Sequence, residues 1–156
     1  MLALDKGQIA EAFDKDEALN VTDLRNVQWP FLHYLGWVHS SRHLSFIALQ
    51  SPNGGRNCGI KMHRAKRTAK KPSMDMCSWC HHVHRKSGTA MFTVSVRGSG
   101  GRHSLGNVVC KDLDCSLRVR NLVQSESLMR ETLYQPAKAW RMRTTMHKWL
   151  GRANQL

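Results

Sequence analysis

Four of the five cysteines fall into two close pairs, and this spacing limits the chain more than any other feature. Cys77-Ser-Trp-Cys80 puts two residues between its thiols, Cys110-Lys-Asp-Leu-Asp-Cys115 puts four, and twenty-nine residues separate the pairs. One tight turn can offer two ligands as an edge of a tetrahedron, and a distant element can offer the opposite edge. That is the donor set a zinc ion takes, with sulfur at about 2.3 Å. Four sulfurs leave no open coordination position, so a single ion held by Cys77, Cys80, Cys110 and Cys115 would be structural, and it would close a long loop. A redox C-x-x-C pair would sit in a βαβ unit, which this pattern lacks. His81, His82 and His84 crowd the first pair, and one of them in place of a cysteine is the alternative ligand set. Cys58 lies outside the pattern and reads as a buried strand residue.

The elements around these pairs are legible from periodicity. Ile9, Ala12 and Phe13 recur at helical spacing from about Asp5 onward, and a second short helix is expected over Glu17–Leu24. Phe31, Leu32, Tyr34, Leu35 and Trp37 form an apolar-aromatic block expected to pack against a sheet. Two hairpins follow. Leu44–Gln50 pairs with Arg56–His63 across Ser51-Pro-Asn-Gly-Gly55, and Thr89–Val96 pairs with Leu105–Cys110 across Gly98-Ser-Gly-Gly101. In the second hairpin Ala90, Phe92, Val94 and Val96 share one face. A helix should start near Asp112, with Asp112 as its cap and Leu113, Leu117, Val119 and Leu122 on its apolar side. The last helix begins near Pro136. Its apolar stripe is Ala139, Met142, Met146, Trp149 and Leu150, with Lys138, Arg141, Lys148 and Arg152 on another face.

A knuckle, a β-hairpin and then a helix carrying the second ligand pair at its start is the order of a treble-clef zinc finger. The expected fold is therefore α+β: a treble-clef finger with β-hairpins, an N-terminal helix and C-terminal helices. One domain is expected over residues 1–156. It comprises an N-terminal helical and aromatic segment (1–38), a two-hairpin zinc-binding core (44–123) and a basic amphipathic helix (136–152).

The charge is unevenly placed. The whole chain carries +13, and its first sixty residues hold five Lys/Arg against six Asp/Glu, so all of the net positive charge lies beyond them. Such a field attracts RNA, DNA, ribosomes or acidic protein surfaces. A basic connector, Lys61, Arg64, Lys66, Arg67, Lys70 and Lys71, lies between the hairpins, and Trp79 is expected to be exposed as a stacking residue beside it. No run approaches the roughly 20 apolar residues that cross a bilayer. Asp5, Lys6, Gln8 and Glu11 interrupt the N-terminus, unlike a secretory signal. The expectation is a soluble cytoplasmic protein without a membrane partner, whose thiols stay reduced.

No paired carboxylates, nucleophile elbow or Walker loop is present, so a binding protein is expected, not an enzyme. Three stretches together resemble one family: Cys77-Ser-Trp-Cys80-His-His-Val-His84, the glycine-rich Gly98–Gly106 segment, and Cys110-Lys-Asp-Leu-Asp-Cys115-Ser-Leu-Arg-Val-Arg120. It is the treble-clef zinc finger at the C-terminus of bacterial elongation-factor-G-binding proteins, the fusidic-acid-resistance family, also called the FBP domain. The resemblance extends upstream through Phe31–Trp37. It implies an α+β zinc domain that binds elongation factor G, in a ribosomal setting. Direct RNA or DNA binding is the rival reading. The surface expected to meet a partner comprises Trp79, His82, Arg85, Lys86, Arg118 and Arg120. Arg118 and Arg120, two apart on a helix, would diverge by about 200°, so at most one of them would point at the partner.

Overall fold

Asp5 closes a reciprocal capping box at the start of α1 (Lys6–Ala12): its carboxylate accepts from the Gln8 amide at 2.8 Å, while the Gln8 side chain accepts from the Asp5 amide at 3.0 Å. Two backbone donors that the helix cannot satisfy internally are thereby paired. In this computed structural model the described residues are 1–14, 19–21, 23–52, 55–65, 74–85, 87–124 and 127–156. The expected second helix does not form over its described part: 19–21 and 23–24 are irregular, and the rest lies outside the described residues.

Five antiparallel strands make the main sheet, in the order β1 (Leu35–Val38), β2 (Leu44–Gln50), β3 (Asn57–Ala65), β6 (Thr89–Ser95) and β7 (Ser104–Cys110). Both expected hairpins are present, with Leu44 opposite His63 and Thr89 opposite Cys110. They join through a short seam, His63–Ala65 against Met91–Thr93. The aromatic block is not a separate layer on the sheet. Its second half is the edge strand β1, with Trp37 opposite Phe46. The connector also begins later than expected, because Lys61 and Arg64 belong to β3; Lys66, Arg67, Lys70 and Lys71 lie outside the described residues.

The unbroken apolar run in β2 is explained by burial on both faces. Phe46 and Ala48 face one cluster with Ile9, Phe13, Leu35 and Trp37; Ile47 and Leu49 face another that holds the cysteine pairs and α3 (Gln135–Arg152). α1 lies directly on β3 at Gly59, where a Cβ would come 2.5 Å from Phe13 Cδ2 and 2.6 Å from the Ala12 carbonyl oxygen. The α3 stripe is as expected, with Ala139, Met142, Met146, Trp149 and Leu150 all buried. On its flank Arg141 donates to both Glu131 oxygens, at 2.7 and 2.8 Å. No helix among the described residues is long and apolar enough to cross a membrane.

Candidate metal centre

A two-stranded ladder, β4 (Asp75–Met76) against β5 (Val83–His84), brackets the first cysteine pair and makes it the tip of a small hairpin. Within that tip the amides of Trp79 and Cys80 lie 3.4 and 3.5 Å from Cys77 Sγ, as donors to a thiolate. The Ser78 amide donates to the Val108 carbonyl at 2.9 Å and anchors the knuckle to β7. The second pair straddles a sharp turn. Cys110 ends β7, Leu113 turns the chain with φ 56°, and Cys115 opens α2 (Cys115–Arg118).

The four Sγ atoms lie within 4.8 Å of one another, with Cys77 to Cys115 at 3.6 Å and Cys80 to Cys110 at 3.5 Å. A tetrahedral ion with sulfur at about 2.3 Å has edges of about 3.8 Å, so the donor set fits zinc. All four cysteines are buried, which leaves no open face for substrate. Burial raises the Cys77 thiol, but hydrogen bonds from Cys110, Cys115 and Cys80 outweigh it and hold Cys77 well below the usual range. Burial, then hydrogen bonds with Cys110, Cys77 and Cys80, pushes Cys115 well above it. Four crowded sulfurs cannot all ionise alone; a divalent cation resolves the conflict by stabilising every thiolate.

The histidines are not ligands in this arrangement. His84 Nε2 lies 3.3 Å from Cys110 Sγ, the position of a hydrogen-bond partner that orients the ligand. His82 accepts from Arg118 Nη1 at 3.3 Å, and burial, then the Arg118 charge, lowers its pKa.

Several expectations need correction. The metal helix is a single turn that starts at Cys115 and not near Asp112, so the macrodipole available to Cys115 is small. Asp112 is exposed and caps nothing. The N-cap position belongs to Asp114, whose carboxylate turns instead to Arg118 Nε at 2.7 Å. Leu122, expected on the helix's apolar side, is 46% exposed. Trp79 is 0% exposed and serves no stacking role; its ring meets Tyr34 at 5.6 Å and Trp149 at 5.7 Å. Arg120 lies past the helix, donating to the Ser116 carbonyl and to His33, while Arg118 pairs with Asp114. Arg85 is exposed, and Lys86 lies outside the described residues. His33, Asp114 and Ser116 carried no sequence signal, because each acts through a contact made only in the folded chain. His84 did carry one: it sits four residues after Cys80.

A ligand hairpin, a β-hairpin and a ligand-bearing helix around four buried thiols define a treble-clef zinc protein. The FBP C-terminal treble-clef zinc-finger family matches residues 9–153, and the chain belongs to that family. Among solved structures, that of the fusidic acid resistance protein FusC shares the fold, with TM-score 0.61 and 13% identity over 97% of this chain. This chain spans 59% of the FusC chain. No curated protein sequence matches it.

Proposed function

We propose that the protein binds translation elongation factor G through the surface beside its zinc centre, as a binding module and not as an enzyme. The observation that carries this reading is membership of the FBP zinc-finger family. The physical support is that the four-sulfur site and the Arg118 network hold the adjoining surface rigid, and a rigid surface loses less entropy on docking. Beside the metal lies a depression of about 320 Å³ lined by His82, Met129, Arg130 and Lys138 among others. Met129 is 64% exposed beside Arg130 and Lys138, an apolar anchor in a rim whose Glu131 carboxylate is already paired with Arg141. Arg118, fixed by Asp114, lines the same depression, and Arg85 is exposed on β5's continuation. The positive charge concentrated beyond residue 60 suits an encounter at the ribosome.

Calorimetry with purified elongation factor G and nuclease-treated, zinc-loaded protein tests this. Binding at micromolar concentrations is expected, weakened about tenfold or more by Met129→Asp and less by Arg85→Glu. No heat of binding, together with tight binding to ribosomal RNA, would sink the proposal.

A further inference from the structure

At one end of the main sheet is an open cavity of about 710 Å³ that neither the zinc centre nor the proposed factor-binding surface uses. Its walls come from five strand ends. The β1–β2 turn supplies His39 and Arg42, the end of β3 Arg64, the start of β6 Thr89, and the residues after β7 Lys111 and Asp112. Three permanent cations therefore line it with one carboxylate. Arg64 is held in place: its amide donates to the His43 carbonyl at 2.7 Å and its Nη1 to the Arg42 carbonyl at 3.2 Å. Arg42 itself presents that carbonyl from a left-handed backbone, φ 62°. Opposite, the Lys111 amide is fixed by the Gly88 carbonyl at 3.0 Å.

Two polar groups here have no hydrogen-bond partner among the described residues: Arg64 Nε, and the hydroxyl of Thr89, a residue only 3% exposed. A buried donor without an acceptor is costly, and a charged acceptor relieves that cost best. Surplus cations and unsatisfied donors together call for an anion rich in oxygen. Among the described residues no Phe, Tyr or Trp lines the cavity, so none of them offers a base a ring to stack on. The space is open and far larger than one phosphate group, as suits a strand that passes through it.

We propose that this cavity is a nucleic-acid site that holds a backbone phosphate of a single strand between Arg42, Arg64 and Lys111. It is independent of the elongation-factor reading, being built from different residues.

The test is fluorescence anisotropy of a short labelled single-stranded RNA with the full-length, zinc-loaded chain across a salt series. Arg42→Gln and Arg64→Gln should each weaken binding about tenfold and reduce the slope of log affinity against log salt by about 0.7. Asp112→Asn should tighten binding, an outcome that damage to the fold would not give. Elongation factor G should bind both arginine variants as it binds the wild type. RNA affinity unchanged in both arginine variants would overturn the proposal. So would wild-type protein that takes up inorganic phosphate but not RNA, or arginine variants that lose the elongation factor while keeping RNA.

Discussion

Arg120 Nη2 donates to His33 Nε2 across 2.9 Å, tying the segment after the metal helix to the residues just ahead of β1. The His33 amide completes the link by donating to Ser116 Oγ at 3.1 Å. An imidazole that accepts from a guanidinium is neutral at that nitrogen. Burial, then the charges of Arg120 and Arg143, lowers the His33 pKa to about 4.

The pH dependence follows with a definite sign. Between the ordinary histidine value near 6.5 and the folded value of about 4, the unfolded chain binds a proton that the folded chain does not. His33 therefore contributes stability that is complete above pH 6.5 and is lost as pH falls through that window. Discounted for the half-exposed ring, the loss is on the order of 1–2 kcal/mol. Urea midpoints of wild type and His33→Gln at pH 7 and pH 4.5 check it: the difference between the two should shrink on acidification, and a constant difference would disprove the assignment.

Metal content gives the second prediction. Purified protein should hold one zinc per chain with sulfur as its only neighbour in X-ray absorption. Cys80→Ser or Cys115→Ser should strip hydrogen-exchange protection from the knuckle and from α2, since zinc binding in small fingers contributes about 10–16 kcal/mol. Protection should persist around Phe46 and Trp37, whose cluster contains no metal ligand. Equal protection of the knuckle in wild type and variant would count against a structural ion.

Trp79→Ala separates packing from surface recognition. With the ring fully buried, the change should destabilise the protein by about 3–5 kcal/mol. An exposed stacking residue would cost almost nothing. Thermal denaturation decides between these outcomes.

Gly59→Ala tests the seat of α1. The added methyl would meet both Phe13 and the Ala12 carbonyl, so α1 must lift from β3. A loss of about 1–3 kcal/mol is expected, with exchange of α1 amides accelerated before those of α3. An unchanged melting temperature would show that the helix seats elsewhere.

The metal ligands, both hairpins and the α3 stripe were legible in the sequence, because local spacing alone specifies each of them. The cysteine pairs follow ligand geometry, and Met142, Met146 and Trp149 follow helical period. What sequence could not supply was the placement of each face. Leu35–Val38 is too short, and too close to an aromatic run, for alternation to reveal a strand. Asp112 has the chemistry of a cap but not its position, because the chain reverses at Leu113 before the helix begins. Trp79 appeared exposed because a knuckle tip is normally solvated; here α3 folds over it. The cavity at the sheet end could not be read at all, since Arg42, Arg64, Thr89 and Lys111 come from four separate stretches of chain.

The indole of Trp79 is in contact with one ring from ahead of β1, Tyr34, and one from the far end of α3, Trp149. Three stretches remote in sequence thus share one packing decision. Substitutions at these positions should not act additively, and none of the three can drift alone: a smaller ring at one demands an answering change at another. The segment ahead of β1 and the far end of α3 are thereby bound to the history of the metal knuckle, although neither supplies one of the four thiols.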